Sequence, residues 1–315
     1  MRASRFFLWC TLLSVSAVIL LRALFNLSMC RGNKLCFAPL VNLEKEEEKA
    51  RTALNNERDA INNCLKNAKR EKWHITKGAD RLYARVFFRE GSHKWAVVVH
   101  GYGGEGGLML YAVKRFYEKG YNVLLPDLRA HGKSTGKYIG WGWRDKEDIE
   151  NWCECIKNRD KSAKIVLYGV SMGGAAVLMS AGDNKIKGLR CVVSDCAYTS
   201  LKDIMYYRIR RMLHLPPCLV MFLLKPMCKS CAGIRVDKVS VCEHVKKCRV
   251  PVMLCHGDRD RFVPTDNVLE LYAVAKVPKS LMLVHGAGHG VSAFMGGEKY
   301  WDRVFDFTER FIEKN

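Results

Sequence analysis

Three short stretches carry residues whose types and spacing could perform covalent chemistry. The first, YGVSMGGAA (168–176), sets Ser171 between Gly169 and Gly173. A serine hydroxyl is a weak nucleophile until a base takes its proton, and the base needs an acid to orient it. The histidines that follow Ser171 are His214, His244, His256, His285 and His289. His289 stands in HGAGHG (285–290) between two glycines, past the end of a strand-like run. A loop there can fold over Ser171, so His289 is the expected base. His285 belongs to the strand end and reads as structural. For the acid, HGDRDRFVP (256–264) offers Asp258 and Asp260, and SDCAY (194–198) offers Asp195. Asp260 is the expected acid, separated from His289 by one helix and one strand. Asp258 suits a tight turn in which a carboxylate caps backbone N–H groups. Asp195 stays open as an alternative acid or a turn former.

Acyl transfer also needs donors for a developing oxyanion. HGYGGEGG (100–107) follows a buried strand-like run, and its glycines free the backbone to aim N–H groups. The Tyr102 N–H and the Met172 N–H are the expected donors. The same loop could be read as a phosphate-binding turn. It lacks the Lys-Ser/Thr ending of a P-loop, and its glycine spacing misses the dinucleotide fingerprint. Nucleotide binding is therefore set aside. The chemistry requires no metal or organic cofactor. CKSC (228–231) has metal-ligand spacing, with Cys218, Cys242 and His244 nearby, but a second C-x-x-C is missing. Most of the fourteen cysteines are expected to be free thiols, several packing as small hydrophobes.

These residues need elements to hold them. WHITKG and LYARVFF read as an antiparallel pair, the second alternating with period two. Apolar runs at 94–100, 121–127, 163–169, 189–195, 250–258 and 279–286 read as strands. Helices are expected at 107–119 with Gly120 ending it, 145–159 with Asp145 as N-cap, 171–182, 266–276 and 297–313. Short buried strands separated by helices imply an α/β fold, a mostly parallel central sheet with helices on both faces. Ser171 falls just past a strand and at the start of a helix of small residues, the context of a nucleophile elbow. Gly169 and Gly173 are the elbow glycines, required because the turn is so sharp. Between 198 and 249 the alternation breaks, in a segment too long for a loop. It carries eleven Lys and Arg against three acids, and the apolar stretch LPPCLVMFLL (215–224). It reads as a helical cap inserted over the C-terminal edge of the sheet.

The N-terminus differs in kind. FFLWCTLLSVSAVILL (6–21) is an uninterrupted run of apolar and small residues, with Arg2 and Arg5 before it and Arg22 after. Extended to Met29 it would make roughly 36 Å of helix, enough to cross a bilayer. Residues 1–36 are therefore expected to form a signal anchor with a transmembrane helix, and 37–71 a charged helical linker. The catalytic domain is expected at 72–315. The cell membrane is the expected location, with a single pass and the catalytic domain outside the cytoplasm. The formal charge of +20 favours anionic surfaces. No zinc-finger, RNP or basic-zipper pattern accompanies it, so nucleic acid is not an expected partner.

The ordered set HGYGG, DLRAHGKS, GVSMGG, SDCAY, HGDRDRFVP and GAGHG resembles the α/β-hydrolase superfamily. The likeness is greatest to the bacterial branch of serine aminopeptidase-like hydrolases and small esterases, and it runs from about residue 72 to 315. It departs from the commoner DLRGHGKS at Ala130. The resemblance implies Ser171 as nucleophile, Asp260 as acid, His289 as base, and Tyr102 and Met172 as oxyanion donors. The reading that follows is a membrane-anchored serine hydrolase of carboxylic esters, its partner a small-molecule ester or lipid-like substrate. A peptidase or amidase of the same fold is the competing enzyme. An inactive, membrane-tethered binding protein would be expected to have lost a triad residue, and all three are present.

Overall fold

The computed structural model describes residues 18–31, 52 and 55–313. The expected strands assemble into one sheet of eight. They are β1 (Lys69–Lys77), β2 (Asp80–Phe88), β3 (Lys94–Val99), β4 (Asn122–Asp127), β5 (Lys164–Val170), β6 (Leu189–Asp195), β7 (Val252–Gly257) and β8 (Lys279–Val284). Their order is β1-β2-β4-β3-β5-β6-β7-β8. β2 is antiparallel to both neighbours, and all pairs from β4 to β8 are parallel.

The helices are α1 (residues 18–29), α2 (Arg58–Leu65), α3 (Leu110–Glu118), α4 (Asp145–Arg159), α5 (Met172–Gly182), α6 (Leu201–Arg208), α7 (Pro217–Ala232), α8 (Val241–Val245), α9 (Asp266–Val274) and α10 (Ser292–Ile312). They cover both faces, which is why the central strands are apolar at every position rather than alternating. Val97 and Leu167 pack with Ile149 and Trp152 of α4 and with Val177 of α5. Their strand neighbours Val98 and Tyr168 pack on the other side with Phe116 of α3 and Val304 of α10. α5 is buried along its whole length. Its run of Gly and Ala lets it lie close against the sheet.

Several boundaries moved. The first strand opens at Lys69, inside the stretch expected as linker. α2 is the described end of that linker, and it packs Ile61 and Leu65 against the α3 and α10 side of the domain. Arg144, not Asp145, occupies the cap position of α4. Asp145 is the first helical residue, where its carboxylate accepts the Gly142 N–H at 2.7 Å. The last helix starts earlier than expected, at Ser292, and kinks at Gly297. The segment expected as a cap forms α6, a π-turn at Ile209–Leu213, α7 and α8.

The expected transmembrane helix is not shown. No helix among the described residues is long and apolar enough to cross a membrane. The inner part of the expected span is α1, and its Phe25 and Met29 are fully buried in the core beneath the sheet's α4 and α5 face. The remainder of the anchor and most of the linker lie outside the described residues.

β3 connects to β4 on one side, and β5 lies on its other side. The C-terminal ends of β3 and β5 therefore flank a crevice, where parallel sheets bind ligands. Ser171 and the HGYGG loop both emerge there.

Candidate active site

Ser171 follows β5 with φ 57° and ψ −119°, a conformation that side chains rarely adopt. The turn is held by its own N–H, which donates to the Asp195 carbonyl at 2.8 Å. The flanking glycines permit it. A Cβ on Gly169 would stand 2.4 Å from the Gly173 carbonyl oxygen, and one on Gly173 would stand 2.5 Å from the Val99 and His100 carbonyl oxygens. No side chain fits either gap, so the strand–turn–helix junction closes only with glycine. The turn leaves the Ser171 side chain at the wall of a cavity, beside Met172 and Tyr102.

The Ser171 hydroxyl donates to His289 Nε2 at 2.8 Å. His289 Nδ1–H donates to Asp260 Oδ2 at 2.7 Å. Asp260 is buried, and its other oxygen accepts the Phe262 and Val263 N–H groups at 2.8 and 2.9 Å. Burial alone would raise its pKa. The charge of His289 and the hydrogen bonds from His256 and His289 outweigh this, and hold the carboxyl well below the usual range. The three residues form one relay of hydrogen bonds, with the carboxylate ionised at its far end.

The other two carboxylates are engaged elsewhere. Asp195 is buried and accepts from Ser292 Oγ at 2.9 Å and from the Tyr300 hydroxyl at 3.0 Å, which ties β6 to α10. Asp258 sits in the turn and accepts from His285 Nδ1 and the Gly286 N–H, both at 2.7 Å. His285 is thereby part of a surface turn.

Several participants were not visible in the sequence. His256, at the end of β7, is fully buried, with Nε2 2.9 Å from the Val263 carbonyl and 3.3 Å from Asp260 Oδ2. It is a second imidazole on the acid. A histidine inside the apolar run VPVMLCHG was the available signal, since a buried ring nitrogen demands a partner. Phe262 stacks on His289 with centroids 4.6 Å apart, and the Arg208 guanidinium lies 3.4 Å from the Phe262 centroid. His100 and His131 brace the HGYGG loop. His100 Nδ1–H donates to the Gly101 carbonyl at 2.8 Å, while its Nε2 accepts the Leu128 N–H at 2.9 Å. His131 Nε2 accepts the Gly103 N–H at 3.2 Å. Burial, with a smaller contribution from His131, pushes His100 down to about 3, so it is a neutral brace.

Among the described residues, the group able to hold a metal ion is Cys196, Asp260 and His289, which is the relay itself with a thiol beside it. Burial pushes the Cys196 thiol well above its ordinary value. Cys228, Cys231 and Cys242 are not gathered into a ligand set among the described residues, and the twelve described cysteines are free thiols.

The cavity at Ser171 is lined mainly by apolar side chains. Trp141, Tyr198, Phe262 and Val263 come from the main domain, and Ile204, Met205, Ile209, Val220 and Leu224 from the cap. Leu24 and Ser28 of α1 complete it. The arrangement places an activated hydroxyl at the wall of a mainly apolar cavity.

Comparison with known proteins bears on the fold. The family profile described as "Serine aminopeptidase, S33" matches residues 91–230. The solved structure of an esterase from Pyrococcus furiosus, Pf2001, superposes with a TM-score of 0.66 at 25% identity, over 80% of this chain and 94% of that one. The chain has the α/β-hydrolase fold. An uncharacterized protein of Bacillus subtilis, YqkD, is 27% identical over 195 residues, or 62% of this chain. The match spans 64% of that relative's length, somewhat under two thirds. Human ABHD12B is 26% identical over 211 residues, covering 64% of this chain and 54% of the human protein. An acylaminoacyl peptidase shares the fold, with a TM-score of 0.57 at 18% identity.

Proposed function

We propose that this hydrolase is a serine esterase that cleaves carboxylic esters through an acyl-enzyme on Ser171. His289 takes the Ser171 proton as the hydroxyl attacks the ester carbonyl, and Asp260 holds the resulting imidazolium. The Tyr102 and Met172 N–H groups receive the oxyanion. Met172 opens α5, where helix geometry leaves its N–H without an intrahelical acceptor. His289 then protonates the leaving alcohol, and water attacks the acyl-enzyme by the same route in reverse. The observation that carries the ester reading is the cavity: Ser171 lines it among mostly aliphatic and aromatic side chains, which suits an acyl chain better than a peptide amine.

The hydrolase is further proposed to work at a membrane, with its catalytic domain outside the cytoplasm. The apolar run at 6–21 flanked by arginines supports this. So do Leu219, Phe222 and Leu223, which α7 leaves exposed, and Val18, Ile19 and Leu20, exposed on α1. Exposed apolar side chains beside a surplus of Lys and Arg suit an anionic bilayer.

A fluorophosphonate probe tests the chemistry. It is expected to label the wild type and not Ser171→Ala. Labelling that persists in Ser171→Ala removes the nucleophile assignment. A panel of p-nitrophenyl esters beside aminoacyl anilides tests the substrate class. Higher kcat/KM on the anilides replaces the esterase by a peptidase.

A further inference from the structure

The segment that the sequence assigns to a membrane anchor ends inside the active site. Leu24 and Ser28 of α1 line the same cavity as Ser171. Phe25 and Met29, on the adjoining face, have no exposed surface. The chain just beyond α1 is pinned by its backbone. The Met29 carbonyl accepts the Ile139 N–H at 2.8 Å, and the Arg31 N–H donates to the Lys137 carbonyl at 3.0 Å. The Arg31 guanidinium reaches the Gly132 carbonyl at 2.7 Å, and the Ser134 carbonyl beside it.

The last turn of any helix leaves carbonyls without intrahelical donors. In α1 these acceptors are taken by the active-site loops. The Tyr102 hydroxyl donates to the Leu27 carbonyl at 3.1 Å, with the Ser28 carbonyl at 3.4 Å. The Trp141 indole N–H donates to the Ser28 carbonyl at 3.1 Å. The two rings lie 5.0 Å apart. The residue whose backbone N–H is assigned to the oxyanion is therefore tied by its side chain to the end of α1. Val220 and Leu224 of the cap line the same cavity. An acyl chain running from Ser171 would meet both α1 and α7.

We infer that α1 is a working part of the catalytic site: a fixed wall of the acyl slot, with Leu24 setting chain-length selectivity, and a positioning element for the oxyanion loop through Tyr102. This rests on the esterase reading above. Two consequences follow. The working enzyme retains residues 18–31, so the N-terminal segment is not removed as a signal peptide. Substitutions in α1 also change which esters are cleaved.

The test uses the full chain and p-nitrophenyl acetate, butyrate, octanoate and dodecanoate. Leu24→Trp fills the slot, and each methylene it excludes costs about fourfold in kcat/KM. The octanoate-to-acetate ratio is expected to fall roughly 60-fold if three methylenes are displaced. Leu24→Ala is expected to move the ratio the other way, towards dodecanoate, and serves if the tryptophan variant does not fold. Tyr102→Phe keeps the backbone N–H and the ring but removes the tie to α1. It is expected to lower kcat about tenfold on every ester while leaving KM and the chain-length order unchanged. Intact-mass analysis of the protein from its own cells is expected to find residues 18–31 present. Unchanged ratios in both Leu24 variants overturn the wall. Unchanged kcat in Tyr102→Phe overturns the tie. A fully active mature chain that starts beyond Arg31 overturns both. Failure of the esterase reading shows separately, as a wild type that fluorophosphonate does not label.

Discussion

Replacing Asp260 by asparagine is the sharpest probe of the relay. The two Asp260 oxygens have different surroundings. Oδ1 accepts two backbone N–H groups, from Phe262 and Val263. Oδ2 faces His289 Nδ1 at 2.7 Å and His256 Nε2 at 3.3 Å. The asparagine amide can settle in only one orientation, because its NH2 cannot face two backbone donors. Its oxygen keeps the Oδ1 position and its NH2 replaces Oδ2. That NH2 donates, so His289 must present Nδ1 as an acceptor and carry its proton on Nε2. A proton there points at Ser171 Oγ and removes the base. A misplaced tautomer of this kind costs about 10⁴ in kcat, or roughly 5.5 kcal/mol of barrier. The same NH2 also meets the His256 N–H that now donates to Val263. Two buried donors face to face are expected to cost about 1–3 kcal/mol of stability. The assay is kcat/KM on p-nitrophenyl butyrate at pH 8, with a urea melt to confirm folding. Asp258→Asn, in its exposed turn, is expected to stay within about twofold of wild type. Asp195→Asn is expected to lose stability, because it holds Ser292 and Tyr300, yet to keep activity within about tenfold. The reasoning is refuted if folded Asp260→Asn keeps more than a tenth of wild-type activity while Asp195→Asn or Asp258→Asn loses about a thousandfold.

The neutral brace at His100 predicts a pH dependence of stability. Its pKa is about 3 in the folded protein and near 6.5 unfolded. As pH falls below about 6.5 the unfolded chain takes up this proton first, so stability is full above that value and is lost progressively down to about 3. At 1.36 kcal/mol per pKa unit the ceiling is roughly 5 kcal/mol. Urea denaturation at pH 7.5, 5.5 and 4.5 is expected to show this decline, and His100→Gln to flatten it. Coincident slopes for the two proteins would exclude His100 as the source. Gly173→Ala brings a Cβ to 2.5 Å from two carbonyl oxygens and is expected to cost about 3 kcal/mol, read as a shift in the urea midpoint. A change below about 0.5 kcal/mol would mean the elbow is not packed this tightly.

Much of the candidate site was legible because its residues sit at strand ends. An apolar run followed by glycine and a polar residue locates such an end from local composition alone. Ser171, His289 and Asp260 each follow one, and the structure brings the three within hydrogen-bond reach. The choice among three carboxylates was only weakly legible. Asp195, Asp258 and Asp260 all follow buried strands. The spacing to His289 favoured Asp260, and the direction of each side chain over the sheet edge, which spacing does not encode, settles it. Phe262 and Arg208 were illegible for a related reason, and for His256 the sequence held only the hint of a histidine inside an apolar run. They act through contacts with residues distant in sequence or around a turn, and their types alone fit ordinary core or surface positions.

The sequence by itself determined the strand and helix alternation, the elbow glycines and the shortlist of nucleophile, base and acid. Local sterics and hydrophobic period suffice for these. The tertiary structure decided which acid meets His289, because burial and backbone donors around Asp260 are assembled from β7 and the turn after it. It also decided the place of residues 18–29. Read along the chain, their apolarity suits a bilayer, since hydropathy measures only what a segment avoids. In the folded protein only its inner end is taken into the core, with Phe25 and Met29 buried and Leu24 at the cavity of Ser171, while Val18, Ile19 and Leu20 stay exposed. Lipid and protein interior are alike to a leucine, and only the packing distinguishes them.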